Sequence, residues 1–270
     1  MFGTVVVHDR LLRGMIPPPQ AGGWHIRVWH DRPDLDASLD DLERSLGPGH
    51  VLIHTTIPVA RRLQRSPHRW PRLAGGVSLP GDALHAHAQH GRLGDMMANA
   101  HALYAPFGAL LSLEPTFDAV FGPDRFLRPD SPFKPFSGRP IPAGQWADEI
   151  AAIAAVDRPD PALLCLVAPL QRLAQPEWRF WCVDGAPVAS APYSFDTPLP
   201  HDARPPAALA QIAEAAAQRL VDIDMLMVVD ATFDGKGNPK IVEANAFSTS
   251  GFTPGVDWEA LWEGAAQAFA

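Results

Sequence analysis

Met225-Leu226-Met227-Val228-Val229-Asp230 and Ile241-Val242-Glu243-Ala244-Asn245-Ala246-Phe247, read together across Asp234-Gly235-Lys236-Gly237-Asn238-Pro239, decide how the rest of the chain is organised. Both flanks are short, apolar and rich in Val, Ile and Met, as buried strands are. The run between them consists of turn formers. The spacing predicts a β-hairpin. With the turn centred between Lys236 and Gly237, Phe233 faces Lys240 and Asp230 faces Glu243. Directly opposed residues have Cβ atoms about 4.5–5.5 Å apart. Asn245 shares the face of Glu243, because strand side chains alternate.

Two carboxylates opposed inside an apolar hairpin repel, and burying either charge alone is strongly unfavourable. A hard divalent cation removes the conflict. Asp230, Glu243 and the amide oxygen of Asn245 would form an all-oxygen half-shell that suits Mg²⁺. A one-residue slip of register would instead turn the acids to solvent, and spacing alone leaves both arrangements open.

A strand ending in Asp, a hairpin, then Glu-x-Asn and a small-residue loop resembles the metal-binding end of ATP-grasp enzymes. Upstream, Phe126-Leu127-Arg128-Pro129-Asp130-Ser131-Pro132-Phe133-Lys134-Pro135-Phe136-Ser137-Gly138 and Pro176-Glu177-Trp178-Arg179-Phe180-Trp181 resemble the ATP-grasp clade named for one arginine and two lysines. Residues 120 to 255 carry the resemblance. It implies an α/β (α+β) chain with an ATP-grasp fold, two α+β lobes sandwiching ATP, preceded by a small α/β domain. The expected division is 1–105 for the N-terminal domain and 106–270 for the ATP-grasp domain. Within the latter, 106–168 is the first lobe and 169–270 the second. ATP and Mg²⁺ are the implied cofactors, with Asp230, Glu243 and Asn245 as metal ligands.

The loop around Lys134, Ser137 and Gly138 could fold over phosphates, with Lys134 as a point charge and Arg128 as a bidentate fork. Taken alone it is equally a proline-rich surface loop. The chain has no Walker A motif and no protein-kinase signature. The clade's second lysine is missing here: either Arg125 or Arg128 fills its role, or one phosphate contact is absent. The resemblance puts Val167, Ala168 and Leu170 at the interlobe linker that reads adenine. It puts Glu177 against the ribose, and Arg179 on phosphate or a reactive intermediate. Read without it, Glu177 and Arg179 are a surface ion pair, worth about 0–1 kcal/mol.

Composition bounds the alternatives. Hydrophobic residues make up 47% and the formal charge is -8, which fits a globular protein that binds neither nucleic acid nor membrane surfaces. Lys134, Lys236 and Lys240 are the only lysines. Cys165 and Cys182 lie in apolar runs and read as buried hydrophobes. No apolar run approaches a membrane span, and Met1–Val7 lacks the features of a signal segment, so a soluble cytoplasmic protein is expected. Along the chain, Val5–Val7, Trp24–Trp29 (Trp24, Ile26 and Val28 on one face) and Val51–Ile53 read as strands of a partly parallel sheet. Ser38 with Asp41 resembles a capping box for a helix stopped at Gly47-Pro48-Gly49. His85, His87 and His90 share no helix face, and read as a solvated surface on a helix continuing through Met96, Met97, Ala100 and Leu103. Asp184-Gly185 marks a second hairpin within Pro176–Tyr193.

These readings converge on an ATP-dependent, Mg²⁺-dependent carboxylate–amine ligase. In the family an acyl phosphate forms and an amine displaces phosphate. Lys134 and Arg179 are the catalytic candidates. The partners would be a small-molecule or peptide carboxylate and an amine. Two other readings stay open: a phosphotransferase acting on a hydroxyl, and a nucleotide-binding module without catalysis.

Overall fold

The computed structural model describes residues 3–12, 14–47, 49–65, 82–193 and 203–268. Three four-stranded sheets carry the architecture. The first is built from β1 (Gly3–His8), β2 (Gln20–Ala21), β3 (Trp24–Trp29) and β4 (His50–His54), in the order β2-β3-β1-β4. β1 runs parallel to both β3 and β4. Parallel strands need covering on both faces, and the β1 valines show it. Val5 and Val7 pack toward Trp181, Phe252 and Trp262, whereas Val6 packs toward Trp29, Leu39 and Leu42. The connecting helices are α1 (Asp9–Leu12), α2 (Leu35–Ser45) and α3 (Ile57–Arg65).

Trp24 and Ile26 pack on one face of β3 and Trp29 on the opposite side with α2, while Val28 is 37% exposed. One local expectation is corrected here. The Ser38–Asp41 box is not formed. The helix starts a turn earlier, where the Asp34 carboxylate accepts the Ala37 N–H. Ser38 is buried within the helix, and Asp41 pairs with Arg32 and Arg44.

α4 (Ala86–Leu93) leads to the sheet of the first lobe, which is antiparallel with order β5-β8-β6-β7. It comprises β5 (Leu103–Pro106), β6 (Arg125–Pro129), β7 (Arg139–Ile141) and β8 (Leu164–Pro169). α5 (Glu114–Phe121) and α6 (Trp146–Val156) cover one face through Phe117, Trp146, Ile150 and Ile153. The opposite face, with Phe126, Leu166 and Ala168, looks toward α4. α4 does not continue to Leu103. Gly94, at φ +53°, ends it, and a short 3-10 turn follows.

The third sheet has the order β10-β9-β11-β12: β9 (Glu177–Val183), β10 (Ala186–Tyr193), β11 (Leu226–Phe233) and β12 (Pro239–Ala246). On β9 the side chains alternate between two faces. Trp178, Phe180 and Cys182 pack under α7 (Ala207–Leu220), and Trp181 and Val183 pack on the other side with α8 (Trp258–Ala268). The Trp24 indole donates to the Trp262 carbonyl at 2.9 Å, tying β3 to α8. At the β2–β3 turn, Gly22 (φ +53°) lies so close to α8 that a Cβ would stand 2.1 Å from the Glu263 nitrogen, so only glycine fits. Both cysteines are free and buried. Among the described residues no helix is long and apolar enough to cross a membrane.

The end of β4 clamps the loop after β12. Thr55 N–H donates to the Ser248 carbonyl at 2.6 Å, and His54 Nε2 meets the Ser250 carbonyl. The His54 ring stacks on Phe252 with centroids 4.3 Å apart. Complete burial lowers its pKa to about 4. A histidine free in the unfolded chain titrates near ~6.5, so the unfolded state binds the extra proton between those values. The His54 contribution is therefore complete above about pH 6.5 and is lost as pH falls toward 4. Urea melts across this range should show the wild type losing about 3 kcal/mol more than His54→Gln. Parallel pH profiles would refute this.

Candidate active site

β9, β11 and β12 place three charged residues in one cross-strand row. Asp230 pairs in register with Arg179 on one side and Glu243 on the other. The opposition of Asp230 and Glu243 is as expected, but the tip is not. Thr232, not Phe233, faces Lys240, and Phe233 faces Pro239. A β-bulge explains the shift: Glu243 pairs with Asp230 and Ile241 with Ala231, which leaves Val242 as the extra residue. The tip itself is held by the Asp234 carboxylate, which accepts the N–H groups of Lys236 and Asn238.

Arg179 is 3% exposed and grips Asp230 with both arms, Nε to Oδ1 at 2.8 Å and Nη2 to Oδ2 at 2.7 Å. Its third nitrogen donates to the Gly251 carbonyl at 2.7 Å, and its guanidinium lies 4.0 Å from the Tyr193 ring centroid. The Arg179–Glu177 surface pair is thus replaced by a buried Arg179–Asp230 pair. Burial works against the Arg179 charge, but Asp230 outweighs it and raises the pKa. The Asn245 amide donates to Asp230 Oδ2 at 3.3 Å.

Glu243 is held from the first lobe. Lys134 Nζ donates to Oε1 at 2.7 Å, and Arg128 Nη2 lies 3.2 Å from Oε2. Burial alone would raise the Glu243 pKa. The Lys134 and Arg128 charges override it and hold the carboxyl well below its usual range. Lys134 adopts φ +44°, a left-handed conformation uncommon outside glycine. Its N–H closes a turn onto the Ser131 carbonyl at 3.1 Å. At Gly138 a Cβ would meet the Phe126 ring at 2.9 Å and Arg128 Cβ at 3.1 Å, so glycine lets the loop lie against β6. Glu177, at the edge of this network, is pushed up to about 8 by burial and by the neighbouring Asp230 and Glu243 charges.

A cavity of about 240 Å³ opens beside the row. Lys134, Arg179, Tyr193 and Asn245 line it together with Arg10 of α1, Ile57 of α3 and Thr249 to Gly251. The structure thus brings together Arg128, Lys134, Arg179, Asp230, Glu243 and Asn245. It sets Val167, Ala168 and Leu170 apart from that cavity. Val167 and Ala168 are buried in β8, Val167 paired with both neighbouring strands. Leu170 is exposed, and its N–H already donates to the Asp124 carbonyl at 3.1 Å.

Residues 138–264 match the family model of the ATP-grasp domain, family 3 of the clade named for one arginine and two lysines. That segment is an ATP-grasp domain. Solved structures extend the likeness beyond that segment. D-cycloserine synthetase DcsG superposes with a TM-score of 0.64 at 13% identity, covering 99% of both chains. A RimK domain protein ATP-grasp from Sphaerobacter thermophilus gives 0.56 at 14%, over 98% of each chain. D-alanine–D-alanine ligase from Bacillus anthracis, complexed with ATP, gives 0.53 at 10%, over 90% of this chain and 84% of that one. At these identities the likeness is one of fold. A search of curated proteins finds no match.

Sequence reading missed several residues in this region of the structure. Tyr193 was one; the chain has two tyrosines, and this one stacks on Arg179, so scarcity was the available signal. The histidines of α4 were another. His85 and His87 both bond Asp130, and His90 Nδ1 bonds the Tyr104 hydroxyl at 2.9 Å, so they do not form a solvated helix face. Their partners come from other elements, which helical spacing cannot reveal.

Arg179→Met should leave Asp230 buried without its bidentate partner and destabilise the fold by about 3–5 kcal/mol. Adding Asp230→Asn should recover part of the loss. Urea denaturation of the single and double variants measures both, and a single variant as stable as wild type would refute the assignment.

Proposed function

We propose that this protein, with its ATP-grasp domain, is an ATP-dependent carboxylate–amine ligase acting on an amino-acid or peptide-type substrate. One observation carries the reading. Cationic and oxygen-donor side chains from both lobes converge on the Arg179–Asp230–Glu243 row, beside a cavity large enough for a small acid.

Asp230, Glu243 and Asn245 would hold Mg²⁺. Their donor set is all oxygen, which suits that ion. Both carboxylates already accept cations: Arg179 on Asp230, and Lys134 with Arg128 on Glu243. Bound there, Mg²⁺ would neutralise phosphate charge. Lys134, 39% exposed, would move from Glu243 to the nucleotide's phosphates, and Arg128 would provide a second contact. Val167, Ala168 and Leu170 would border adenine. Leu170 would offer only its carbonyl, because its N–H is engaged. Glu177, holding a proton near neutrality, would meet the ribose.

In the proposed reaction a substrate carboxylate oxygen attacks the γ-phosphorus, the bond to the bridging oxygen breaks, and ADP leaves. The amine then attacks the acyl carbon, phosphate departs, and the amine loses a proton. Arg179 is pinned by Asp230 and Gly251, so its charge is preorganised for both steps. Phosphoryl transfer of this kind requires positioning and charge rather than a protein nucleophile.

ADP release screened over amino-acid and peptide pairs, with mass spectrometry for loss of water on condensation, tests the reading. A phosphorylated acceptor would replace it with phosphotransfer, and ATP binding without release would replace it with a silent module. Glu243→Gln should lower turnover by at least about 100-fold, in line with losing a preorganised charge contact, with unchanged circular dichroism. Retained activity would remove Glu243 from the metal shell. Without nucleotide, Lys134→Met should bind Mn²⁺ about 10-fold more tightly than wild type, a gain of ~1.4 kcal/mol, because the internal competitor is gone. Equal affinities by calorimetry would refute that competition.

A further inference from the structure

The proposed reaction leaves one cluster unused. His85 Nδ1 lies 2.9 Å and His87 Nδ1 2.7 Å from the same Asp130 oxygen, Oδ2. Among the described residues these are the one trio of His, Cys, Asp or Glu side chains whose ligand atoms all lie within 4.8 Å of one another. We propose that His85, His87 and Asp130 form a second metal site, for a borderline transition ion such as Zn²⁺, distinct from the oxygen-donor set at the hairpin.

The site is built rather than incidental. The Asp130 carboxylate is buried, and its backbone is fixed at both ends: Asp130 N–H donates to Leu164 O at 2.9 Å, and Ala86 N–H donates to Asp130 O at 2.9 Å. Its other carboxylate oxygen, Oδ1, accepts the His87 backbone N–H at 2.8 Å. Ligating carboxylates in metal sites are oriented by such a second hydrogen bond. The two imidazoles are anchored by the chain reversal into α4, where His85 is the residue preceding the helix and His87 lies in its first turn. Their ring centroids are 5.5 Å apart, and the Tyr104 ring meets His87 edge-on at 6.2 Å. His90 is not part of the set, since Tyr104 engages its Nδ1.

The donor chemistry selects the ion. Two imidazole nitrogens and one carboxylate oxygen suit Zn²⁺, whereas Mg²⁺ prefers oxygen alone. Zn²⁺ bonds to nitrogen and oxygen at about 2.0–2.2 Å. The present N···O separations need to open only slightly to admit it. Asp130 Oδ2 can only accept, so each Nδ1 bonded to it carries a proton, and that proton must leave Nδ1, to Nε2 through solvent or to bulk water, before the nitrogen can bind the ion. The His87 side chain is 51% exposed, which leaves an open side for a fourth ligand such as water.

The inference does not depend on ligase activity, and neither does its test. The full chain, in excess Mg²⁺ near neutral pH, is dialysed against Zn²⁺ and its metal content measured by mass spectrometry. Wild type should retain one equivalent. His87→Ala, at an exposed side chain, should keep its circular dichroism and lose at least ~100-fold in Zn²⁺ affinity, since even outer-shell changes cost 10–100-fold. His85→Ala should behave alike, and Glu243→Gln should retain the ion. The proposal is overturned if wild type retains no Zn²⁺, if His87→Ala retains as much as wild type, or if the loss appears in Glu243→Gln instead.

Discussion

A buried guanidinium gripping a buried carboxylate is the constraint on which this molecule turns. Neither Arg179 nor Asp230 could lie where it does without the other. Their pairing fixes β9 beside β11, and the third arm of Arg179 fixes the loop after β12 through Gly251. That loop is clamped from its far side by His54 and Thr55 at the end of β4. One ion pair thus connects the hairpin, the adjoining strand and the parallel sheet.

The second feature of the charge balance is its division between lobes. The hairpin sheet contributes Asp230 and Glu243 against a single Arg179. The compensating Lys134 and Arg128 come from the other lobe. Contact across the cleft is therefore electrostatic where the chemistry is proposed. A polyanionic ligand entering the cleft would meet cations already gathered there.

Much of this was legible because the relevant patterns are local. Acids stand out within apolar strands, Asp184-Gly185 marks a tight turn, and period-two alternation sorts the faces of β9. What was not legible is tertiary. The partner of Glu243 lies 109 positions away at Lys134. Asp130 is 43 and 45 positions from the histidines it holds. Val242 carries no glycine or proline to announce a bulge, so the tip register was misplaced by one residue although the acids were aligned. Asp34 outcompeted Ser38 as a cap because both side chains suit the role and only packing chooses between them.

The spare residue at Val242 has a further consequence. It separates two pairing frames, one at the tip from Phe233–Pro239 to Ala231–Ile241, the other at the row from Asp230–Glu243 onward. The hairpin therefore contains a slip joint. Insertions or deletions among residues 234 to 238 can be taken up on the tip side while the charged row stays in phase. That tip borders a separate groove of about 740 Å³ lined by Lys236, Lys240 and Arg172. A change of loop length at this rim would therefore alter the groove without shifting the Arg179–Asp230–Glu243 row.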